Sequence, residues 1–145
     1  VTSPGRLQLV GIEPSVLVDA AHNPHGAAAL AAAIQESFDF AEVAVVLGVL
    51  ADKDMHGIVA ELAPIATRFL VTRSTSDRAV EADELLEVVT GIAGRDAAES
   101  HGYLTDAMAA ARAWAEEAPR RAVLVTGSIT LVGDVIRLAE QEGWK

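Results

Sequence analysis

The residues Asp19-Ala20-Ala21-His22-Asn23-Pro24 place a carboxylate and an imidazole directly after the apolar run Ser15-Val16-Leu17-Val18. A carboxylate accepts hydrogen bonds, and an imidazole can hold an anion or carry a proton near neutral pH. Asn23 suits a helix N-cap and Pro24 the first helical position, so a strand is expected to end and a helix to begin within this span. In open α/β sheets ligands bind beyond the carboxyl ends of the strands, where helix N-termini offer free N–H groups. Asp19 and His22 are therefore expected to face a ligand. On spacing alone a purely structural assignment is equally good: Asp19 capping a turn, Asn23 capping the helix, and His22 in solvent. Asp19, His22 and His25 together suggest a metal, but no glutamate-flanked helical histidine pair accompanies them, and no metal site is expected.

Further strand-to-helix junctions carry polar groups that parallel topology would bring to the same edge: Asp52-Lys53-Asp54, Thr126-Gly127-Ser128 and Thr72-Arg73-Ser74. Asp52 and Asp54 could hold Lys53 toward an anion, or simply favour the positive end of a helix. Gly127-Ser128 could be a tight turn with a cap, or could offer an N–H and a hydroxyl to a carboxylate. Arg6, His22, His25, Lys53 and Arg73 are the cations available to such an edge.

The elements that must position these groups follow from periodicity. Leu7–Ile12 and Ser15–Val18 read as strands joined at Glu13-Pro14, as in a hairpin. Ala27, Leu30, Ala31, Ile34 and Phe38 fall at helical spacing after Pro24. Val43 to Val49 is a continuous apolar strand, as in a sheet covered on both faces. Met55, Ile58, Val59 and Leu62 define a second helix, with Asp54 as N-cap and Pro64 near its end. Phe69–Thr72 is a strand, and Ala82, Leu85, Leu86 and Val89 mark a helix stopping near Gly91 or Gly94. Ala97–Ser100 fills the place of a short strand. Leu104 to Ala115 is a helix, Ala122–Thr126 a strand, and Val132 to Ala139 a last helix. This repetition implies a Rossmann-like, doubly wound α/β fold: a mostly parallel sheet, helices on both faces, and one antiparallel strand from the opening hairpin.

At 145 residues and 51% hydrophobic composition the chain fits one compact domain, residues 1–145. There is no cysteine, so disulfides and thiolate metal sites are excluded. The apolar runs fall short of the roughly 20 residues that span a bilayer, no signal sequence opens the chain, and a cytoplasmic location is expected. A net charge of −10 argues against nucleic acid as the partner. No Gly-x-x-x-x-Gly-Lys-Ser/Thr loop occurs, so the usual triphosphate cradle is not expected in this chain. Thr126 to Gly133 approaches a dinucleotide fingerprint but lacks its middle glycine, which argues against a self-contained dehydrogenase. Val1-Thr2-Ser3-Pro4-Gly5 reads as a connector without an initiator methionine, as in a domain taken from something longer.

Pro4-Gly5-Arg6-Leu7-Gln8, Asp19-Ala20-Ala21-His22-Asn23-Pro24, Gly48-Val49-Leu50-Ala51-Asp52-Lys53-Asp54 and Thr126-Gly127-Ser128 occur in this order. Together they resemble the C-terminal domain of folylpolyglutamate synthase and dihydrofolate synthase, members of the Mur ligase superfamily. The resemblance spans essentially the whole chain. It implies an ATP-dependent amide ligase that adds L-glutamate to folate, to dihydropteroate, or to both. A carboxylate would be phosphorylated by ATP, and the glutamate amine would attack the acyl phosphate. It further implies that an N-terminal ATPase domain, absent from this chain, supplies the phosphate loop and the magnesium ligands, and that this chain alone is inactive. Carried over by position, Arg6 would approach the nucleotide phosphates and Asp19 the nucleotide at its ribose. His22 and Ser128 would hold glutamate, with His22 the catalytic candidate. Lys53 would make a phosphate or interdomain contact, and Asn23 would be a cap. The alternatives are a non-catalytic nucleotide- or amino-acid-binding module of the same fold, and a domain that merely docks another.

Overall fold

The computed structural model describes residues 7–145; Arg6 lies outside them. The strands β1 (Gln8–Ile12) and β2 (Ser15–Asp19) form an antiparallel hairpin with a bulge between Leu9 and Gly11. Then follow α1 (Pro24–Ser37), β3 (Glu42–Leu47), α2 (Met55–Leu62), β4 (Arg68–Val71) and α3 (Ala82–Ala93). A 3-10 turn leads to β5 (Ala98–Ser100), and α4 (Leu104–Glu116), β6 (Arg121–Thr126) and α5 (Ile129–Glu142) complete the chain. The six strands lie in the order β1-β2-β6-β3-β4-β5, and every pairing except β1 with β2 is parallel.

Alternation along the central strands divides the core into two layers. Leu17, Val43, Val45, Leu47 and Leu124 pack with Leu30 and Ile34 of α1, Ile58 and Leu62 of α2, and Leu85 and Val89 of α3. Val16, Val18, Ala44, Val46 and Val125 pack on the other side with Met108 and Ala111 of α4 and Leu131 and Val135 of α5. Strands covered on both faces must be apolar at every position, which is why β3 and β6 read as unbroken valine-rich runs. The expected doubly wound sheet is therefore the one found.

The topology itself places the site. α1 leaves β2 toward the first layer, whereas α5 leaves the adjacent β6 toward the second. Between those strand ends the sheet has its switch point, where a crevice opens.

Strand boundaries differ from expectation by one residue at several ends and by two at the end of β3. β3 ends at Leu47, not Val49, because Val49 and Leu50 turn away to pair with Ala79 and Val80, with Val80 N donating to Val49 O at 2.9 Å. Val49 stays buried in the core, so its apolar character reports burial rather than strand membership. None of the described helices is long and apolar enough to cross a membrane.

Candidate functional site

Asp19 closes β2 and pairs in register with Thr126, the last residue of β6. Its Oδ1 accepts Leu7 N at 2.9 Å and its Oδ2 accepts Ala21 N at 3.0 Å. The carboxylate thus ties the entry to β1 to the turn after β2 through two main-chain donors. Thr126 Oγ1 donates to Asp19 O at 2.7 Å, and Gly127 N donates to Ala21 O at 3.1 Å. Both strand ends therefore hold the turn that carries His22.

His22 is half-buried, with Nδ1 3.0 Å from Ala20 O. A carbonyl only accepts, so Nδ1 is the protonated nitrogen and Nε2 is the ring atom not engaged by Ala20 O. An imidazole oriented this way offers Nε2 as acceptor to an amine N–H or, when protonated, as donor to a carboxylate. Asn23 Oδ1 accepts Gly26 N at 2.7 Å, the expected N-cap of α1.

A cleft of about 620 Å³ runs along this wall, polar where Asp19, His22 and His25 line it and apolar where Leu7 and Leu30 do. Among the described residues no three metal-binding side chains gather in one place.

Ser128, Lys53 and Arg73 do not line that cleft. Ser128 is 1% exposed, and its Oγ accepts Leu131 N at 3.0 Å as the N-cap of α5. Its cap role is therefore definite, and only its O–H hydrogen remains to donate elsewhere. Replacing Ser128 by alanine is expected to cost about 1–2 kcal/mol of stability, because the cap is buried and water cannot substitute for it. Urea denaturation of the variant measures this, and an unchanged midpoint would show that the hydroxyl contributes nothing.

Lys53 Nζ lies 3.9 Å from Asp52, but Asp54 Oδ1 accepts Gly57 N at 2.9 Å and caps α2. The expected clamp of Lys53 by two carboxylates is thus reduced to one, since the helix end claims the other. A Cβ on Gly57 would stand 2.5 Å from Pro24 Cγ and from Asp54 Oδ2. That close approach of α1 and α2 holds the Lys53 loop beside the start of α1. Arg73 belongs to a different cavity, where it pairs with Glu81.

The contributions of Leu7 N, Ala20 O and Thr126 Oγ1 were not predictable from residue type. A main-chain donor has no signature in sequence, and Thr126 matters only because β6 lies against β2.

A family model described as Mur ligase, glutamate ligase domain, matches residues 5–129. The dihydrofolate synthase/folylpolyglutamate synthase of Mycobacterium tuberculosis is 37% identical over 144 residues, covering 92% of this chain and 30% of that protein. A crystal structure of M. tuberculosis folylpolyglutamate synthase complexed with ADP and AMPPCP superposes with a TM-score of 0.93 at 38% identity, covering 96% of this chain and 33% of that one. A bifunctional folylpolyglutamate synthase/dihydrofolate synthase with Mn, AMPPNP and L-glutamate bound superposes with a TM-score of 0.81 at 27% identity, covering 96% and 32%. The chain spans about a third of the length of these relatives.

Proposed function

The chain belongs to the Mur ligase glutamate ligase domain family, and from that premise we propose that it is the glutamate-handling part of an ATP-dependent ligase. The ligase joins L-glutamate to folate, dihydropteroate, or both. The observation that carries this reading is the wall at the switch point, where main-chain bonds orient Asp19 and His22 beside one cleft. The relatives' nucleotide and glutamate complexes support it.

In the proposed reaction the substrate carboxylate attacks the γ-phosphorus of ATP and ADP leaves. The glutamate amine then attacks the acyl carbon, inorganic phosphate leaves, and the amine loses a proton as the amide forms. Asp19 meets the nucleotide ribose, whose hydroxyls donate to a carboxylate. His22 Nε2 accepts from the amine or holds a glutamate carboxylate. Ser128 contributes its hydroxyl hydrogen to glutamate, Arg6 and Lys53 face phosphate, and Asn23 keeps α1 in place. Groups held by backbone bonds need little reorganisation, and such positioning can account for a large part of a rate gain. The phosphate loop and the magnesium ligands belong, in this proposal, to an N-terminal ATPase domain, with magnesium shielding the phosphate charge.

ATP- and glutamate-dependent ligation by the longer polypeptide that contains this chain tests the proposal, and Asp19→Ala is expected to weaken apparent ATP affinity there. The chain alone is expected to show no folate-dependent ATP hydrolysis; clear turnover by it would overturn the division of labour. Tight binding by the chain of a ligand unrelated to ATP or glutamate would favour a non-catalytic module instead.

A further inference from the structure

A second cavity, of about 810 Å³, opens beyond the carboxyl ends of β4 and β5. Arg73 and Thr75 reach it from the loop after β4, Tyr103 from the start of α4, and Asp134 and Arg137 from α5. None of these lines the Asp19–His22 cleft.

Its charges are arranged unequally. Asp134 is 8% exposed, and it accepts Thr75 N at 2.9 Å, Thr75 Oγ1 at 3.1 Å and a bond from Arg137. This buried carboxylate is structural: it fixes the loop and anchors the Arg137 guanidinium at the cavity wall. Arg73 pairs with Glu81, whose side chain is 70% exposed. A guanidinium has five N–H donors, so both arginines retain donors beyond these pairs. An exposed partner such as Glu81 holds its arginine weakly and yields it to a competing carboxylate.

A second observation is independent of charge. Ser74 is buried and lines the cavity; among the described residues its Oγ accepts Ser76 N at 3.3 Å and donates its hydrogen to no acceptor. A buried hydroxyl hydrogen without an acceptor is destabilising, and a carboxylate in the cavity would accept it.

We propose that this cavity is a subsite for carboxylates carried on a flexible ligand, the γ-linked glutamyl tail of a substrate that already bears glutamate. The assignment rests on the proposed function. Spaced single carboxylates suit it better than a polyphosphate, because Glu81 and Asp134 stand beside the two arginines and would repel concentrated negative charge. The starts of α3 and α4, neither with a side-chain cap, add N–H groups to the same rim.

The test is an NMR titration of the isotope-labelled chain with γ-linked triglutamate, with ATP and inorganic triphosphate as separate arms. Triglutamate is expected to give saturable amide shifts at Thr75, Gly102 and Tyr103. Arg137→Gln and Arg73→Gln are each expected to weaken this binding about tenfold, as for a lost charge-assisted hydrogen bond. Arg73→Gln should melt close to the parent, because its pair with Glu81 is exposed, which separates ligand loss from misfolding. Shifts confined to residues 19–26, no saturable shift, equal affinity for triphosphate, or undiminished binding by Arg73→Gln would overturn the subsite. ATP is expected to shift Ala21 to Gly26; loss of that response with triglutamate binding intact would overturn the functional reading alone.

Discussion

Gly127→Ala is expected to lower the folding stability of this chain by about 2–5 kcal/mol, a large part of the 5–15 kcal/mol typical of a folded domain. Gly127 has φ +114°, a region that residues with a Cβ rarely adopt. A Cβ there would lie 2.3 Å from Gly48 O and 2.9 Å from Leu47 Cδ1. Neither neighbour can yield, because β3 and β6 are locked in register from Glu42 with Arg121 to Leu47 with Thr126. Urea unfolding is expected to show a lower midpoint at unchanged slope. A loss below about 1 kcal/mol would mean that the two strand ends separate easily, contrary to the packing described. Activity should fall as well, since Gly127 N braces the turn before His22 through Ala21 O.

His22→Ala, in the ligase proposed above, is expected to reduce kcat/KM for glutamate about 10²- to 10³-fold, the range seen when one preorganised donor is removed. Folding should be nearly unaffected, because the half-buried ring makes only a local bond to Ala20 O. The two nitrogens can be told apart. Asparagine can reproduce the Nδ1 donor to Ala20 O but places nothing at Nε2, so it should be as impaired as alanine. Glutamine extends farther and should recover part of the loss. Recovery by asparagine and not by glutamine would assign the function to the Ala20 bond and make His22 a positioning residue only. Unchanged kinetics in all three would remove His22 from the site.

Much of the fold could be read from local pattern. The helices α1 and α2 begin where their caps indicated and α4 where its periodicity did, and the valine-rich character of β3 and β6 announced a sheet covered on both sides. Where prediction failed, a distant partner had overridden a local signal. Val49 is as apolar as its predecessors, yet Val80 and Ala79 draw it and Leu50 out of the sheet. Lys53 stands between two aspartates, but the end of α2 claims Asp54.

The site divides along the same line. Sequence by itself determined which residues could do chemistry and that they lie at strand-to-helix junctions, because turn type, capping and hydrophobic period depend on a few neighbouring residues. It indicated equally that Asn23 and Asp54 would cap helices, since a short polar side chain reaches only the N–H groups just ahead of it, and it left Ser128 open between a cap and a ligand contact. Only the tertiary structure decided that β6 lies between β2 and β3, which makes the end of β2 a switch point. It also decided that Ser128 is buried and that Asp134 meets Thr75 to frame a second cavity. These outcomes depend on residues far apart in the chain, 59 positions in the case of Thr75 and Asp134, whose approach is set by packing two helical layers on one sheet.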